Sequence, residues 1–219
     1  MAGALTALTA AFAGYGFAKF RFRGKTLVFF LVILSIVVPP QTIMMSLYSK
    51  FRYFDVFGLF QATAGVSGNL TDTFLPTALL SATGFGFRGG LFIFLMRQFY
   101  LGIPKELMEA AYVDGANVYR SYFSIVFPLG RSLMITVFLL SFSWTWTDTF
   151  YANIFMQGTN LVSQLVSRVT TMDADVAHII TNGVNLNAAT MLTLLPLLVI
   201  FIVGQKFMVE GIERSGLVG

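Results

Sequence analysis

Cysteine is absent from this chain of 219 residues, and histidine occurs once, at His178. The absence of thiols excludes disulfide bonds, thiolate zinc sites and cysteine nucleophiles, and it leaves the redox compartment undetermined. Asp173, Asp175 and His178 are close in sequence, but the four or more ligands of a metal site are not evident around them. We therefore expect a solvated polar loop there and no metal.

Charged residues are also scarce. They make up 11% of the chain, whereas hydrophobic residues make up 56%. Soluble domains are about a quarter charged, so the composition indicates an integral membrane protein. The net charge of +4 is modest and does not favour nucleic acid as a partner. We interpret residues 1–219 as a single transmembrane domain.

The apolar runs predict an all-α, polytopic membrane fold. Each run is close to the ~20 residues that a helix needs to cross the hydrocarbon core. About five spans are predicted, at residues 2–18, 26–46, 76–97, 132–151 and 188–207.

Basic residues set the expected orientation of these spans. The densest basic cluster, "KFRFRGK" at residues 19–25, should face the cytoplasm. Alternation then places 98–131 and the C-terminus inside, and 47–75 and 152–187 outside. An odd number of spans that starts outside is unusual, so we expect that a first span is missing or that the chain begins here.

Residues 104–131, "PKELMEAAYVDGANVYRSYFSIVFPLGR", form a charged island between two apolar spans. Burying the five ionisable residues of 104–127 at the bilayer centre would cost on the order of 12 kcal/mol. We therefore place the island in water or against a partner protein. Pro104 suits a first helical turn, Gly115 a left-handed turn, and Asn117 the start of a second amphipathic helix that Pro128 closes.

The island resembles a family signature. "EAAYVDGANVYRSYFSIVFP" is similar to the cytoplasmic motif of binding-protein-dependent ABC importer permeases, although Phe127 stands where the family usually has leucine. "GYGFAKFRFRGK", "FSWTWTDTF" and the terminal "VEGIERSGLVG" resemble the carbohydrate-uptake branch, similar to the second permease of maltose-type transporters. The similarity covers nearly the whole chain.

This resemblance implies a permease subunit of an ATP-driven importer for a sugar or oligosaccharide, in a bacterial plasma (inner) membrane with its C-terminus in the cytoplasm. The partners would be a second permease, two ATPase subunits that bind the ATP, and an extracytoplasmic solute-binding protein. This chain would hold no cofactor and hydrolyse nothing. The segment at about 102–131 would be the coupling-helix pair that docks on an ATPase, through Glu109, Ala110, Ala111, Asp114, Gly115, Ile125 and Pro128.

Three residues are candidates for the translocation path: Arg88, Trp146 and Asp148. Arg88 lies in "GFGFRG", which matches a dinucleotide fingerprint only in form, because no strand precedes it. Gly86 and the adjoining Gly90 are better explained by close helix packing, and Arg88 by snorkelling. Near Trp146 the family usually has tryptophan, asparagine and an acid, but Thr147 replaces the asparagine here, and the aromatic residues also fit a membrane-interface belt.

Other readings stay open at this point. The island could be an amphipathic helix that lies on lipid, although basic residues do not dominate its polar face. The chain could be an ATP-independent channel, a secondary transporter, or a membrane-embedded enzyme. The single histidine, the absence of cysteine and the absence of paired carboxylates within the spans disfavour the enzyme.

Overall fold

The computed structural model describes residues 1–55, 68–86, 88–159, 161–169 and 176–216, with the backbone alone for 167–169, 176–182 and 210–216. These residues are mostly helical, and within them β-pairing is limited to an isolated bridge between Phe54 and Gly68. The all-α class is therefore confirmed. The α-helices are α1 Ala2–Lys19, α2 Lys25–Val37, α3 Met44–Arg52, α4 Leu75–Ala82, α5 Gly89–Gly102, α6 Lys105–Val113, α7 Val118–Ser121, α8 Phe127–Trp146, α9 Phe150–Phe155, α10 Val162–Val169 and α11 Val176–Gly216.

The chain divides into two compact units. Unit 1 comprises Met1–Val38, Leu80–Phe142 and Val203–Gly219, and unit 2 comprises Pro39–Leu79 and Ser143–Ile202. Among the described residues, two helical stretches are long and apolar enough to cross a membrane, Val118–Trp146 and Gly183–Val209. A third span is obtained if Lys25–Val37 and Pro40–Arg52 are counted as one broken helix. Pro39 and Pro40 explain that break, because proline cannot donate the helical hydrogen bond.

Small residues bring α1 and α5 into close contact in unit 1. Ala7, Ala10, Ala11 and Gly14 are buried along one face of α1. A Cβ atom added to Gly14 would lie 2.7 Å from the Met96 Cβ atom, so the two backbones approach to a distance that only glycine permits here. Membrane helices commonly pack in this way, because small side chains let the backbones make van der Waals contact.

The predicted span 76–97 is interrupted. The structure has α4 and α5 in its place, with a break in which Gly84 (φ 80°) and Arg88 (φ 57°) are left-handed. Glycine has low helix propensity and adopts positive φ without strain, which explains why the glycine-rich stretch does not continue α4. Gly90 does make the close helix contact expected of it, since an added Cβ would lie 2.7 Å from the Val32 carbonyl oxygen of α2.

The expectation that Pro128 closes the second island helix is wrong. A π-helical turn, Tyr122–Val126, follows α7 and leads directly into α8, so that Val118–Trp146 forms one helical stretch. Pro128 lies in the first turn of α8. A proline needs a place in the helix where its missing N–H and its ring are tolerated, and the wider π turn just before it provides that place.

Aromatic rings and one buried amide organise unit 2. Phe51 of α3 meets Phe155 of α9 edge to face, with 5.2 Å between the ring centroids. The Gln164 side chain is 2% exposed and donates from Nε2 to the Met156 carbonyl oxygen (3.0 Å) and to Asn153 Oδ1 (3.3 Å). These contacts fix α9 between α3 and α10.

Candidate coupling site

The first helix of the island is α6, and it ends in a glycine turn. Pro104 precedes it, and Glu106 lies in its first turn, where a carboxylate interacts favourably with the positive end of the helix dipole. At the other end the Gly115 N–H donates to the Tyr112 carbonyl oxygen (3.0 Å) and the Ala116 N–H to that of Ala111 (2.9 Å). This pair of bonds is the Schellman motif. Gly115 has φ 78°, so the predicted left-handed turn is confirmed.

The second helix of the island begins where the sequence indicates. Asn117 is the N-cap of α7, and its Oδ1 atom accepts a hydrogen bond from the Arg120 N–H at 2.8 Å. An asparagine cap satisfies one of the free N–H groups of a helix start. Two helices therefore meet at a turn that has a defined end and a defined beginning.

The motif residues divide between the surface and the core of unit 1. Most of them are exposed: Glu109, Ala110, Asp114, Gly115 and Pro128. Ala111 is 7% exposed and Ile125 is half-buried, so these two pack within this chain. The exposed members are free to contact a partner, and the buried members fix the helices that carry them.

Two connections attach the island to the rest of unit 1. Lys19 Nζ donates a hydrogen bond to the Ile103 carbonyl oxygen, at 2.8 Å. Partial burial, together with the nearby Lys105, lowers the pKa of the Lys19 ammonium group. In the π turn, the Tyr122 ring packs on Tyr15 of α1 with 4.6 Å between centroids, and both side chains are 4% exposed. Motion of the island would therefore be transmitted to α1 through these two contacts.

Arg88 belongs to unit 1, at the N-terminus of α5, and its side chain is exposed. It lies in the break that interrupts the predicted span, rather than inside a continuous helix. A role for Arg88 in the translocation path stays a prediction.

Trp146 and Asp148 belong to unit 2, and both make contacts that organise it. Trp146 Nε1 donates to the Thr193 carbonyl oxygen at 3.1 Å. The Asp148 carboxylate accepts from the N–H groups of Phe150 (3.2 Å) and Tyr151 (3.0 Å), at the start of α9. A carboxylate at a helix N-terminus satisfies free donors and complements the dipole. A role in solute contact for either residue stays a prediction.

Comparison with known families settles what kind of chain this is. Residues 5–214 match the family model described as "Binding-protein-dependent transport system inner membrane component". The chain belongs to this family. Membership agrees with the resemblance seen in the island motif, and it confirms a component of an inner-membrane transport system.

Curated relatives of this inner-membrane family extend over most of the chain. The "Probable ABC transporter permease protein YurM" of Bacillus subtilis is 27% identical over 98% of this chain and 65% of its own length. The "Alpha-glucoside transport system permease protein AglG" of Rhizobium meliloti is 30% identical over 97% of this chain and 52% of its own length. The "Melibiose/raffinose/stachyose import permease protein MelC" of Bacillus subtilis is 29% identical over 94% of this chain and 68% of its own length. The chain thus spans about half to two thirds of the length of these relatives.

Two exposed apolar residues of the island were not identified from the sequence. Val113 is 88% exposed and Tyr119 is 76% exposed, one on each side of the Gly115 turn. Tyrosine is enriched among the residues that anchor protein–protein interfaces, so Tyr119 is a candidate anchor for a partner. The sequence gives little sign of them, because apolar residues in a helical pattern are more often core, as Met108 and Tyr122 are here.

The other candidate site has little described structure. Asp173 and Asp175 lie outside the described residues, and the side chain of His178 is not described. Within the described part of this permease-family chain, no group of three or more histidine or acidic residues is arranged to hold a metal ion.

Proposed function

We propose that this chain is the membrane-spanning permease subunit of an ATP-driven importer for a sugar or oligosaccharide. It works with a second permease, two cytoplasmic ATPase subunits that bind the ATP, and an extracytoplasmic solute-binding protein. The chain itself binds no cofactor and catalyses no reaction. Its C-terminus and the island lie in the cytoplasm, an orientation that the basic cluster at 19–25 supports through the positive-inside rule.

The geometry of the island carries this proposal. The Schellman turn at Gly115 presents Asp114, Val113 and Tyr119 outward, while Ala111 and Tyr122 pack inward on unit 1. Such a protrusion suits insertion into a cleft of another protein, with exposed side chains as anchors and small residues allowing close approach.

The island is connected to helices of unit 1 that can transmit its motion. The π turn joins it to α8, and the Lys19 hydrogen bond and the Tyr122 packing join it to α1. A push on the island by an ATPase would therefore tilt helices of unit 1, and alternating access arises when such helices rock against a partner permease.

The names of relatives support a carbohydrate as the solute. AglG is named for alpha-glucosides and MelC for melibiose, raffinose and stachyose. Another relative, UgpE of Pectobacterium atrosepticum, is named for sn-glycerol-3-phosphate and is 28% identical, so the family likeness alone leaves the charge of the solute open.

Co-purification of the tagged chain with its ATPase and its partner permease tests this function. Gly115→Asp places a second carboxylate beside Asp114 at the turn, and we expect it to abolish capture of the ATPase while insertion and permease pairing persist. Gly24→Asp is a matched control, because Gly24 also has positive φ (83°) and open space for a Cβ atom, but lies outside the island. Equal ATPase capture by native chain and Gly115→Asp would contradict the coupling role, and ATP-independent flux would favour a channel or secondary transporter.

A further inference from the structure

We propose that unit 2 carries a binding site for a neutral, polyhydroxylated solute, in the cavity between α3 and α9. This inference rests on the proposed import function and identifies a place in this chain where the solute would bind. The cavity has a volume of about 380 Å³, within the range of about 300–1,000 Å³ that is usual for small-ligand sites. Its lining residues are Met44, Met45, Tyr48, Phe150, Asn153, Ile154 and Gln157.

Helical periodicity explains how most of these side chains converge. Met44 and Tyr48 are four residues apart and share a face of α3. Phe150, Asn153 and Ile154 share a face of α9, whereas Gln157 follows the C-cap residue Met156 (φ −129°, ψ 54°), where the chain has left the helix. The edge-to-face contact of Phe51 with Phe155 holds the two helices together, so the walls of the cavity are fixed by packing.

The lining has the chemistry that suits a sugar. Tyr48 and Phe150 offer ring faces, whose partial negative charge attracts the C–H groups of a pyranose. Asn153 and Gln157 carry amides, each with donor and acceptor atoms that match hydroxyl groups. The buried Gln164 donates to Asn153 Oδ1, which fixes that amide and leaves its Nδ2 group to donate.

The charge distribution favours a neutral solute over a phosphate ester. The lining contains no lysine, arginine or histidine, the side chains that ordinarily bind phosphate. Free N–H groups at a helix start can also bind anions. At the start of α9, the N–H groups of Phe150 and Tyr151 already donate to the Asp148 carboxylate. An anionic solute beside Phe150 would meet this carboxylate with no compensating cation in the lining.

A hydrocarbon chain of a lipid is the competing occupant, because the methionines and Ile154 are apolar. A lipid tail would remove water from the Tyr48 hydroxyl and from two amides without replacing their hydrogen bonds, which is unfavourable. The mixture of ring faces with amides therefore favours the sugar.

Equilibrium binding tests the site. The chain would be assembled with its partner permease and ATPase subunits in lipid nanodiscs, and the probe would be radiolabelled melibiose. We expect saturable binding that the double variant Tyr48→Phe/Gln157→Leu weakens about tenfold or more. Neither substitution removes a hydrogen bond within the described part of the chain, so the fold should persist. Gln41→Leu is the control, because it replaces an exposed amide of unit 2 that does not line the cavity.

The outcomes separate this site from the import function. The site is overturned by absence of saturable binding of melibiose and raffinose, by equal weakening in Gln41→Leu, or by tighter binding of sn-glycerol 3-phosphate. It is also overturned if the double variant loses a co-purified phospholipid and binds melibiose normally. The assay is repeated in nanodiscs that hold the chain and its partner permease without ATPase. Sugar binding there that depends on Tyr48 and Gln157, by a chain that fails to capture the ATPase on co-purification, would uphold the site and refute the coupling function.

Discussion

The Lys19 ammonium group donates a hydrogen bond to the Ile103 carbonyl oxygen across 84 residues of sequence. Ile103 is the C-cap of α5 and immediately precedes Pro104, at the entrance to the island. The last carbonyls of a helix lack helical partners and carry partial negative charge, so a lysine is well suited to this position. One contact thus joins the end of α1, the end of α5 and the start of the island.

Replacing Lys19 with methionine should loosen the island. A hydrogen bond to a charged group contributes about 1.5–3 kcal/mol, and methionine preserves most of the apolar stem. We expect amide exchange in residues 104–118 to accelerate about tenfold, measured by hydrogen–deuterium exchange and mass spectrometry.

Lys105→Met is the matched control for this experiment. Lys105 is exposed and is the like charge near Lys19, so its removal takes a cation from the same region without breaking the Ile103 contact. Equal acceleration in the two variants would show that local charge, and not the hydrogen bond, stabilises the island.

The glycines of α1 make a second prediction possible. Gly14→Ala would place a Cβ atom 2.7 Å from Met96 Cβ and 2.9 Å from the Arg97 amide nitrogen, so α1 and α5 would have to separate. We expect the free energy of unfolding to fall by about 1–3 kcal/mol. Gly16→Ala, two residues along, meets nothing nearer than the Phe20 ring at 3.9 Å, and should raise it by about 0.5–1 kcal/mol through helix propensity. Thermal unfolding of the two variants in detergent measures this difference, and identical midpoints would contradict the close approach.

The sequence predicts the local features of the island well. Gly115 predicts the turn because glycine adopts positive φ without strain. Asn117 predicts the cap because its side-chain oxygen can accept a hydrogen bond from a free N–H group at a helix start. The helical membrane class follows equally directly from composition. The path of the chain after the cap was predicted incorrectly, because Pro128 reads as a helix terminator unless a π turn is known to precede it.

Two other features of the structure do not follow from the sequence. They are the interruption of the predicted span at 76–97 and the division of the motif between surface and core. Hydropathy averages over a window, so the glycine-rich break around Gly84 and Gly86 is hidden by its apolar neighbours. Ala110 and Ala111 are identical in type, and only packing decides that the first faces outward and the second inward. The cavity between α3 and α9 likewise depends on residues distant in sequence.

Asp148 gives a third prediction, which separates its hydrogen bonds to the start of α9 from solute binding. Asp148→Asn keeps an oxygen that can accept from Phe150 or Tyr151, whereas Asp148→Ala removes both bonds and should cost about 1 kcal/mol of stability. We expect Asp148→Asn to retain most of the native rate of sugar uptake in proteoliposomes containing the complete importer. Loss of uptake in Asp148→Asn with native thermal stability would instead assign the carboxylate to the solute path.

The exposed side chains at the turn give the last prediction. Tyr119 is 76% exposed and Tyr122 is 4% exposed, although they are three residues apart on the same helical stretch. Tyr119→Ala should leave the thermal unfolding of the chain unchanged and weaken ATPase capture, because truncating a tyrosine that acts as an interface hot spot costs about 2 kcal/mol or more. Tyr122→Ala should lower the free energy of unfolding by about 3–5 kcal/mol, because it empties a buried site against Tyr15. Capture of the ATPase is measured at equal amounts of folded chain, so that the two effects stay separate. Undiminished capture by Tyr119→Ala and by the companion variant Val113→Ala would show that the partner docks on another face of the island.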